Sequence, residues 1–351
     1  MTNPENNENN LNIEDEGATA PIDISMAETI VPEPKPDTKD AMPETKRDAT
    51  ADATVPIPTF PVMSNSSSGD NDTKQMVIEE NLFNDFDGFN GGWLVGAMTN
   101  VGIVRTNNED SIYTFLSKLE DTDTFPQFGV FMVADGAGGH QNGEVASSVT
   151  LRTVAKAVIK NIYIPLLNKE DINDLDRPTI SDILTDAIRE SDRLVREQVP
   201  DGGCTCTVGV ITGNILNIGH VGDSRLYLIN RDHIEQITRD HSVVGRLVEI
   251  GDITPEEAKH HPKRSVLYRG VGMGRGEEQF EVDITRKRLK TGDQILICSD
   301  GLWELVDDDE IKNIVMNAQI PQLACRALIS EANLNGGNDN ISVVIATGPE
   351  R

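Results

Sequence analysis

Apolar and polar positions change their pattern near Gly92. From there, short apolar runs rich in Val and Ile recur between turns, several of which carry Gly or Asn. They are Trp93–Met98, Ile112–Phe115, Val130–Ala134, Thr205–Thr212, Ile215–Val221, Leu226–Ile229, Ile295–Cys298 and Ile341–Ala346. Runs of this length and composition predict strands, and Thr212-Gly213-Asn214-Ile215 predicts a tight hairpin between two of them. Two helices are predicted between the early and middle strands. The first covers about 144–167, with Val145, Val149, Val154 and Val158 near one face. The second covers about 180–198, with Thr179 or Ser181 as N-cap. A later helix is predicted over about 322–332, ending before Asn335-Gly336-Gly337. Strands grouped in runs, with helices set apart, predict an α+β fold rather than alternating β-α-β units. No internal repeat is visible.

Before Gly92 the pattern is different. Residues 1–88 hold nine of the seventeen prolines, are rich in Asn, Asp, Glu, Thr and Ser, and scatter their apolar residues without period. Such a segment cannot bury enough surface to offset its ordering entropy, so 1–88 is expected to be a disordered acidic tail and 89–351 the folded domain. Ser64–Asp70 reads as a joint. Leu82–Phe89 interleaves Phe with acidic residues and reads either as a short docking element or as the lead into the domain.

The net charge is −27, of which the first ninety residues carry −14 and the remaining 261 carry −13. Phosphate-backbone binding needs clustered Lys and Arg, and the densest cluster is Arg286-Lys287-Arg288, which one exposed strand or loop end explains. Nucleic acid and anionic membranes are therefore excluded as expected partners. No stretch approaches the roughly 20 apolar residues of a membrane span, and the Asn- and Glu-rich N-terminus has no signal-peptide pattern. The expected location is cytoplasmic. The four cysteines, including Cys204-Thr205-Cys206, contain no C-x-x-C pair and are expected to be reduced core residues.

Three acidic strings carry candidate chemistry. Asp135-Gly136 and Asp300-Gly301 each follow an apolar run, and Asp339-Asn340 precedes one. Carboxylates at the mouths of buried strands face a heavy desolvation cost unless a cation or partner balances them. An all-oxygen ligand set suits Mg²⁺ or Mn²⁺ rather than zinc. Glycine allows close backbone approach, so the Gly136 carbonyl is itself a candidate ligand; a plain strand-to-helix turn capped by Asp135 is the competing reading. Arg105, in Arg105-Thr106-Asn107-Asn108-Glu109-Asp110, is either a phosphate-gripping guanidinium or part of a polar turn with a surface ion pair. Gly222-Asp223-Ser224-Arg225 reads as an acidic hairpin turn in its simplest form. His140 and His241 are weaker candidates, and Asp307–Asp309 predict a solvated helix start.

Together the motifs resemble the metal-dependent type 2C protein serine/threonine phosphatases, most closely their soluble bacterial branch. The matching stretches, in order, are Arg105–Ser111, Asp135–Ser147, Gly202–Val208, Val221–Tyr227, Thr238–Ser242, Ser299–Trp303 and Asp339–Ser342. The resemblance implies a four-layer α-β-β-α sandwich of two antiparallel sheets flanked by helices. It implies two Mn²⁺ or Mg²⁺ ions, with Asp135 bridging them, the Gly136 carbonyl on one and Asp300 and Asp339 on the other. Asp110 and Glu109 would contribute directly or through water, and Asp223 falls where some members hold a weaker third metal. Arg105 matches the residue that grips the substrate phosphate, and residues 240–269 match the variable flap. A water activated by the metals, with no phosphoenzyme, is the implied mechanism. Phosphoprotein substrates, a cognate Ser/Thr kinase and a monomeric state are the expected partners and assembly. One departure stands out: eukaryotic members often place a histidine directly after the Asp-Gly pair, and here that position is Ala137. A pseudophosphatase that binds phosphoproteins is the alternative reading.

Overall fold

The computed structural model describes residues 92–117, 126–137, 142–170, 176–274 and 280–348. The chain divides into two units, Met1–Lys74 and Gln75–Arg351, and every described residue belongs to the second. The expected tail, the Leu82–Phe89 element and His140 lie outside the described residues.

Two antiparallel sheets stack on each other. One contains β1 (Leu94–Asn100), β8 (Arg225–Ile229), β9 (Ile234–Gln236), β11 (Gln294–Cys298) and β12 (Ile341–Thr347), in the order β1-β12-β11-β8-β9. The other contains β2 (Ser111–Ser117), β3 (Phe128–Ala134), β6 (Cys206–Thr212), β7 (Ile215–Val221) and β10 (Asp283–Arg288), in the order β10-β7-β6-β3-β2. The two-residue strands β4 (Gly136–Ala137) and β5 (Gly203–Cys204) pair as a separate ribbon. The helices are α1 (Asn142–Val158), α2 (Ile164–Leu167), α3 (Ile180–Gln198), α4 (Val243–Glu249), α5 (Pro255–Lys259), α6 (Asp300–Trp303), α7 (Asp308–Asn317) and α8 (Pro321–Leu334).

The period of two along each strand divides the core into three layers. In β3, Phe128, Val130 and Met132 face Leu151, Val154 and Val158 of α1 and Leu184 and Ile188 of α3. The alternate residues Phe131 and Val133 face the other sheet, where they join Leu226, Ile295, Ile297 and Val344. Beyond that sheet, Leu296, Val343 and Ile345 pack on Ile311 and Val315 of α7 and Leu328 and Ile329 of α8. The expected α-β-β-α sandwich is thus what the chain forms. A fully buried Val, Leu or Ile contributes about 1.5–3 kcal/mol, so three such layers can carry a costly acidic cluster at one end. All four cysteines are free and buried within these layers, as expected.

Some expectations need correction. The first helix is not continuous: Ile159–Tyr163 is a π-turn between α1 and α2. Pro165 has no N–H to offer the Asn161 carbonyl, which removes one rung of the helical ladder just there. Val145 is 46% exposed rather than core-facing; α1 buries the small residues Gly143, Ala146, Ser147 and Thr150 instead, which lets it approach the site closely. Gly222–Arg225 is not a hairpin turn. It carries the chain from β7 in one sheet to β8 in the other. The hairpin at Gly213-Asn214 is formed as expected, with Thr212 opposite Ile215.

Strand register gathers the acidic motifs at one end of the sandwich. Asn100 pairs with Ile341, Ser111 with Ala134, Cys206 with Val221, and Cys298 with both Arg225 and Val343. Asp110, Asp135, Asp223, Asp300 and Asp339 are all next to, or within two residues of, these paired ends.

Candidate active site

Asp135 leaves the end of β3 with its backbone fixed at both polar groups. Its N–H donates to Thr205 Oγ1 at 2.9 Å, and its carbonyl accepts from the Thr205 N–H at 2.8 Å. Its carboxyl lies within hydrogen-bonding reach of both Asp110 and Asp300. Asp110 is buried and accepts from Ser299 Oγ at 2.8 Å, but its Oδ1 and that of Asp300 find no donor. Burial raises every carboxyl in this group. Asp110 is pushed up to about 6 and Asp223 up to about 7, and Asp135 and Asp300 are raised well above the usual carboxylate range. Mutual repulsion adds to burial, with Asp110, Asp300 and Asp223 all acting on Asp135.

The remaining predicted residues surround this core. Arg105 pairs with Asp339 Oδ2 at 2.6 Å, and both side chains are partly open to solvent. Asp339 Oδ1 accepts from the Asn340 N–H at 2.8 Å. The Glu109 carboxylate lies against Gly143, since a Cβ added there would stand 2.6 Å from Oε2. Gly136 is even more confined. A Cβ on it would stand 2.4 Å from the Gly143 carbonyl oxygen and 2.5 Å from that of Glu109, so no other residue fits.

The donor set is suited to a hard cation. Two carboxylate oxygens without donors, in a buried group of like charges, need a positive partner to be ionised together. The available atoms are carboxylate and carbonyl oxygens, the ligands that Mg²⁺ and Mn²⁺ prefer. The cage is not closed: among the described residues, no three His, Cys, Asp or Glu side chains already converge on one point. Asp339, committed to Arg105 and Asn340, is the member set apart.

The raised carboxyls have a consequence for stability. A group protonated in the folded chain and ionised in the unfolded chain makes stability fall as pH rises through its folded pKa. His220, lowered to about 4 by burial, acts in the opposite sense, but only below about pH 6.5, the ordinary histidine value. In EDTA, therefore, Tm is expected to drop between pH 6.5 and 8. Mn²⁺, which replaces the protons, is expected to flatten that slope. A scanning-calorimetry series with Tm level or rising over this window in EDTA would contradict the assignment.

Several polar residues outside the candidate set shape the site. Asn340 accepts from the Glu109 N–H at 2.8 Å and donates to the Val101 and Asn107 carbonyls at 3.0 and 2.9 Å, clamping the loop that carries Arg105. Trp303 donates to the Asp223 carbonyl at 3.0 Å. The Arg225 guanidinium lies 3.6 Å over the Trp303 ring and makes a two-pronged pair with Asp240, at 3.1 and 2.7 Å. All four lie in motif stretches of the sequence, Arg225 in Val221–Tyr227, Asp240 in Thr238–Ser242, Trp303 in Ser299–Trp303 and Asn340 in Asp339–Ser342, but the sequence assigns none of them a task.

A profile of the protein phosphatase 2C family matches residues 106–327. The chain belongs to this family. It is 33% identical over 248 residues to the serine/threonine phosphatase stp of Listeria monocytogenes, covering 70% of this chain and 92% of that one. It resembles the crystal structure of the Mycobacterium tuberculosis serine/threonine phosphatase PstP/Ppp, with 32% identity, a TM-score of 0.60, and 74% and 100% of the two chains covered. It also resembles the PstP catalytic domain in complex with two manganese ions, with 32% identity, a TM-score of 0.58, and 74% and 99% covered. The type 2C protein phosphatase is therefore an enzyme of the fold expected from its motifs. No helix among the described residues is long and apolar enough to cross a membrane.

Proposed function

We propose that this phosphatase hydrolyses phosphoserine and phosphothreonine in proteins without a phosphoenzyme. The observation that carries this reading is the Asp110–Asp135–Asp300 group with unsatisfied oxygens beside a partly exposed arginine. Asp135, Asp300, Asp339 and the Gly136 carbonyl would hold two Mn²⁺ or Mg²⁺ ions, Asp110 and Glu109 would assist directly or through water, and Asp223 with Asp300 would hold a weaker third. When bound, such ions acidify water and offset the charge of an in-line displacement at phosphorus.

The protein's own groups do the rest. Arg105 would exchange its pairing with Asp339 for the phosphoryl oxygens, matching two N–H donors to two oxygens. No thiol competes as nucleophile, because all four are buried and Cys204, for one, is pushed up to about 12 by desolvation. Ala137 offers no proton to the leaving alkoxide. Substrates of this class are made by Ser/Thr kinases, so the enzyme opposes one. The domain 89–351 would carry the chemistry and residues 1–88 would be dispensable for it.

Arg105→Ala is expected to raise KM for a phosphopeptide about 10- to 100-fold with a smaller change in kcat, the loss of a charged hydrogen-bonded pair worth about 1.5–3 kcal/mol. Unchanged constants would remove Arg105 from the site. The function itself is tested by phosphate release from a phosphothreonine peptide, comparing the full chain with residues 89–351. Similar Mn²⁺-dependent rates are expected. A folded chain that releases no phosphate with Mn²⁺ or Mg²⁺ would refute the proposal, and loss of release only on truncation would show that the tail takes part.

A further inference from the structure

Asp283 lies on β10, at the edge of its sheet, and has no part in the chemistry proposed above. Its carboxylate nevertheless collects three partners from around the 240–269 segment. Arg239, just before the segment, donates to Oδ2 at 3.0 Å, and Arg269, its last residue, donates to Oδ1 at 3.0 Å. His241 Nε2 lies 3.3 Å from Oδ2. These partners, His241 foremost, hold the Asp283 carboxyl below the usual carboxylate range.

The other ring nitrogen defines how His241 is used. Nδ1 accepts the N–H of Gly222 at 3.0 Å, so the proton of the neutral ring is on Nε2, whose neighbours are Asp283 Oδ2, the one acceptor, and Arg269 Nη1 at 3.4 Å. The backbone completes the link, since the His241 N–H donates to the Gly222 carbonyl at 2.8 Å. Both polar groups of Gly222 are thus held by one residue. Gly222 has φ +112°, and a Cβ there would stand 2.5 Å from Thr205 Cγ2, so the turn has no slack. The next residue is Asp223, which acts on Asp300 across the site. The buried His220 ring, 4.9 Å from that of His241, donates through Nε2 to the Arg239 carbonyl at 2.9 Å and ties the same root of the segment to β7.

We propose that Asp283 and His241 are positioning residues, a dyad that fixes the turn presenting Asp223 and locks it to both roots of the 240–269 segment. The inference rests on the reading of Asp223 as a metal ligand. Asp283 fixes the tautomer and rotamer of His241, and His241 transmits that order to the Gly222 peptide. A shift of either root then moves the Asp223 carboxylate, although neither member of the dyad touches it.

The test separates this role from general support of the fold. In the full chain, His241→Asn keeps an acceptor near the place of Nδ1 but cannot reach Asp283. His241→Gln puts its amide near Nε2 and leaves the Gly222 N–H without a partner. Asp283→Asn is near-isosteric and removes the charge. Mn²⁺ binding is measured by titration calorimetry, and Tm is measured in EDTA. His241→Gln, which loses the Gly222 link, and His241→Asn, which loses the Asp283 link, are each expected to weaken the last Mn²⁺ to bind about tenfold, as is Asp283→Asn. If the variants lower Tm in EDTA but leave Mn²⁺ affinity unchanged, the residues are structural only and the proposal is overturned. Asp223→Asn is the control. If it also leaves Mn²⁺ affinity unchanged, the metal reading of Asp223 falls and the dyad with it. If it weakens the ion while His241→Gln does not, the dyad alone is refuted.

Discussion

Asp135→Asn is expected to lower kcat by at least about 10³-fold, a loss of about 4 kcal/mol in transition-state stabilisation, while leaving the chain folded. The backbone of Asp135 is held by Thr205 through both N–H and carbonyl, so the substitution leaves the anchoring intact. What it removes is the carboxylate that Asp110, Asp300 and Asp223 all act on. The stability effect should have the opposite sign to the activity effect. A carboxyl raised by burial destabilises the fold at pH 8, where it must either ionise or hold its proton against solution; a neutral amide carries no such cost. In EDTA at pH 8 the variant should therefore melt above wild type, and with Mn²⁺ the order should reverse. Retained turnover, or a lower Tm in EDTA, would show that Asp135 is an ordinary turn residue.

The second large effect is expected at Asn340. Its amide makes three hydrogen bonds to the backbone of the Arg105 loop, to Val101, Asn107 and Glu109. Asn340 is 5% exposed, so Asn340→Ala leaves backbone groups without partners where water has little access. Each such loss costs about 1–3 kcal/mol when uncompensated, and a total of about 2–4 kcal/mol allows for partial relaxation. The loop carries Arg105 and Glu109, so KM for a phosphopeptide should rise together with the fall in Tm. Asn340→Asp should not rescue it, since a carboxylate accepts from Glu109 but cannot donate to the two carbonyls. Denaturant unfolding of the three chains decides this. A stability loss below about 0.5 kcal/mol, the usual range for surface substitutions, would mean the clamp is not holding the loop.

These two residues mark what could and could not be read from the chain. Asp135 was legible because a carboxylate between an apolar run and a glycine is costly to bury and needs a reason. The strands were legible for a related cause. Residues buried on both faces, such as those of β3, form continuous apolar runs whose short length sets them apart from buried helices. Asn340 was only partly legible, as one member of the Asp339–Ser342 motif, because its partners are 231 to 239 residues away along the chain and are backbone groups. Backbone partners leave no trace in side-chain chemistry.

The same limit explains the other departures. The Gly222–Arg225 segment has the composition of a hairpin turn, and only the packing of two sheets sends β7 and β8 to different ones. β10 was foreshadowed only by the reading of Arg286–Arg288 as an exposed strand or loop end, because Asp283–Arg288 is mostly charged; it is an edge strand whose outer side needs no apolar residues. His241 offered only a lone histidine in a polar stretch. Its meaning depends on Gly222 and Asp283, which the fold brings to its two nitrogens. For Arg105 the sequence offers a surface ion pair as one reading but not its partner, since Asp339 is 234 residues away along the chain.

A metal centre that hydrolyses phosphoesters at the acidic end of the sandwich would bind Mn²⁺ and lose its turnover together with the metal. The most direct measurement is equilibrium dialysis of the full chain against Mn²⁺, with phosphate release from a phosphothreonine peptide followed at each concentration. At least two ions per chain are expected, with turnover appearing as the second ion binds and vanishing in EDTA. Turnover that persists in EDTA, or a folded chain that binds no Mn²⁺, would contradict the metal centre.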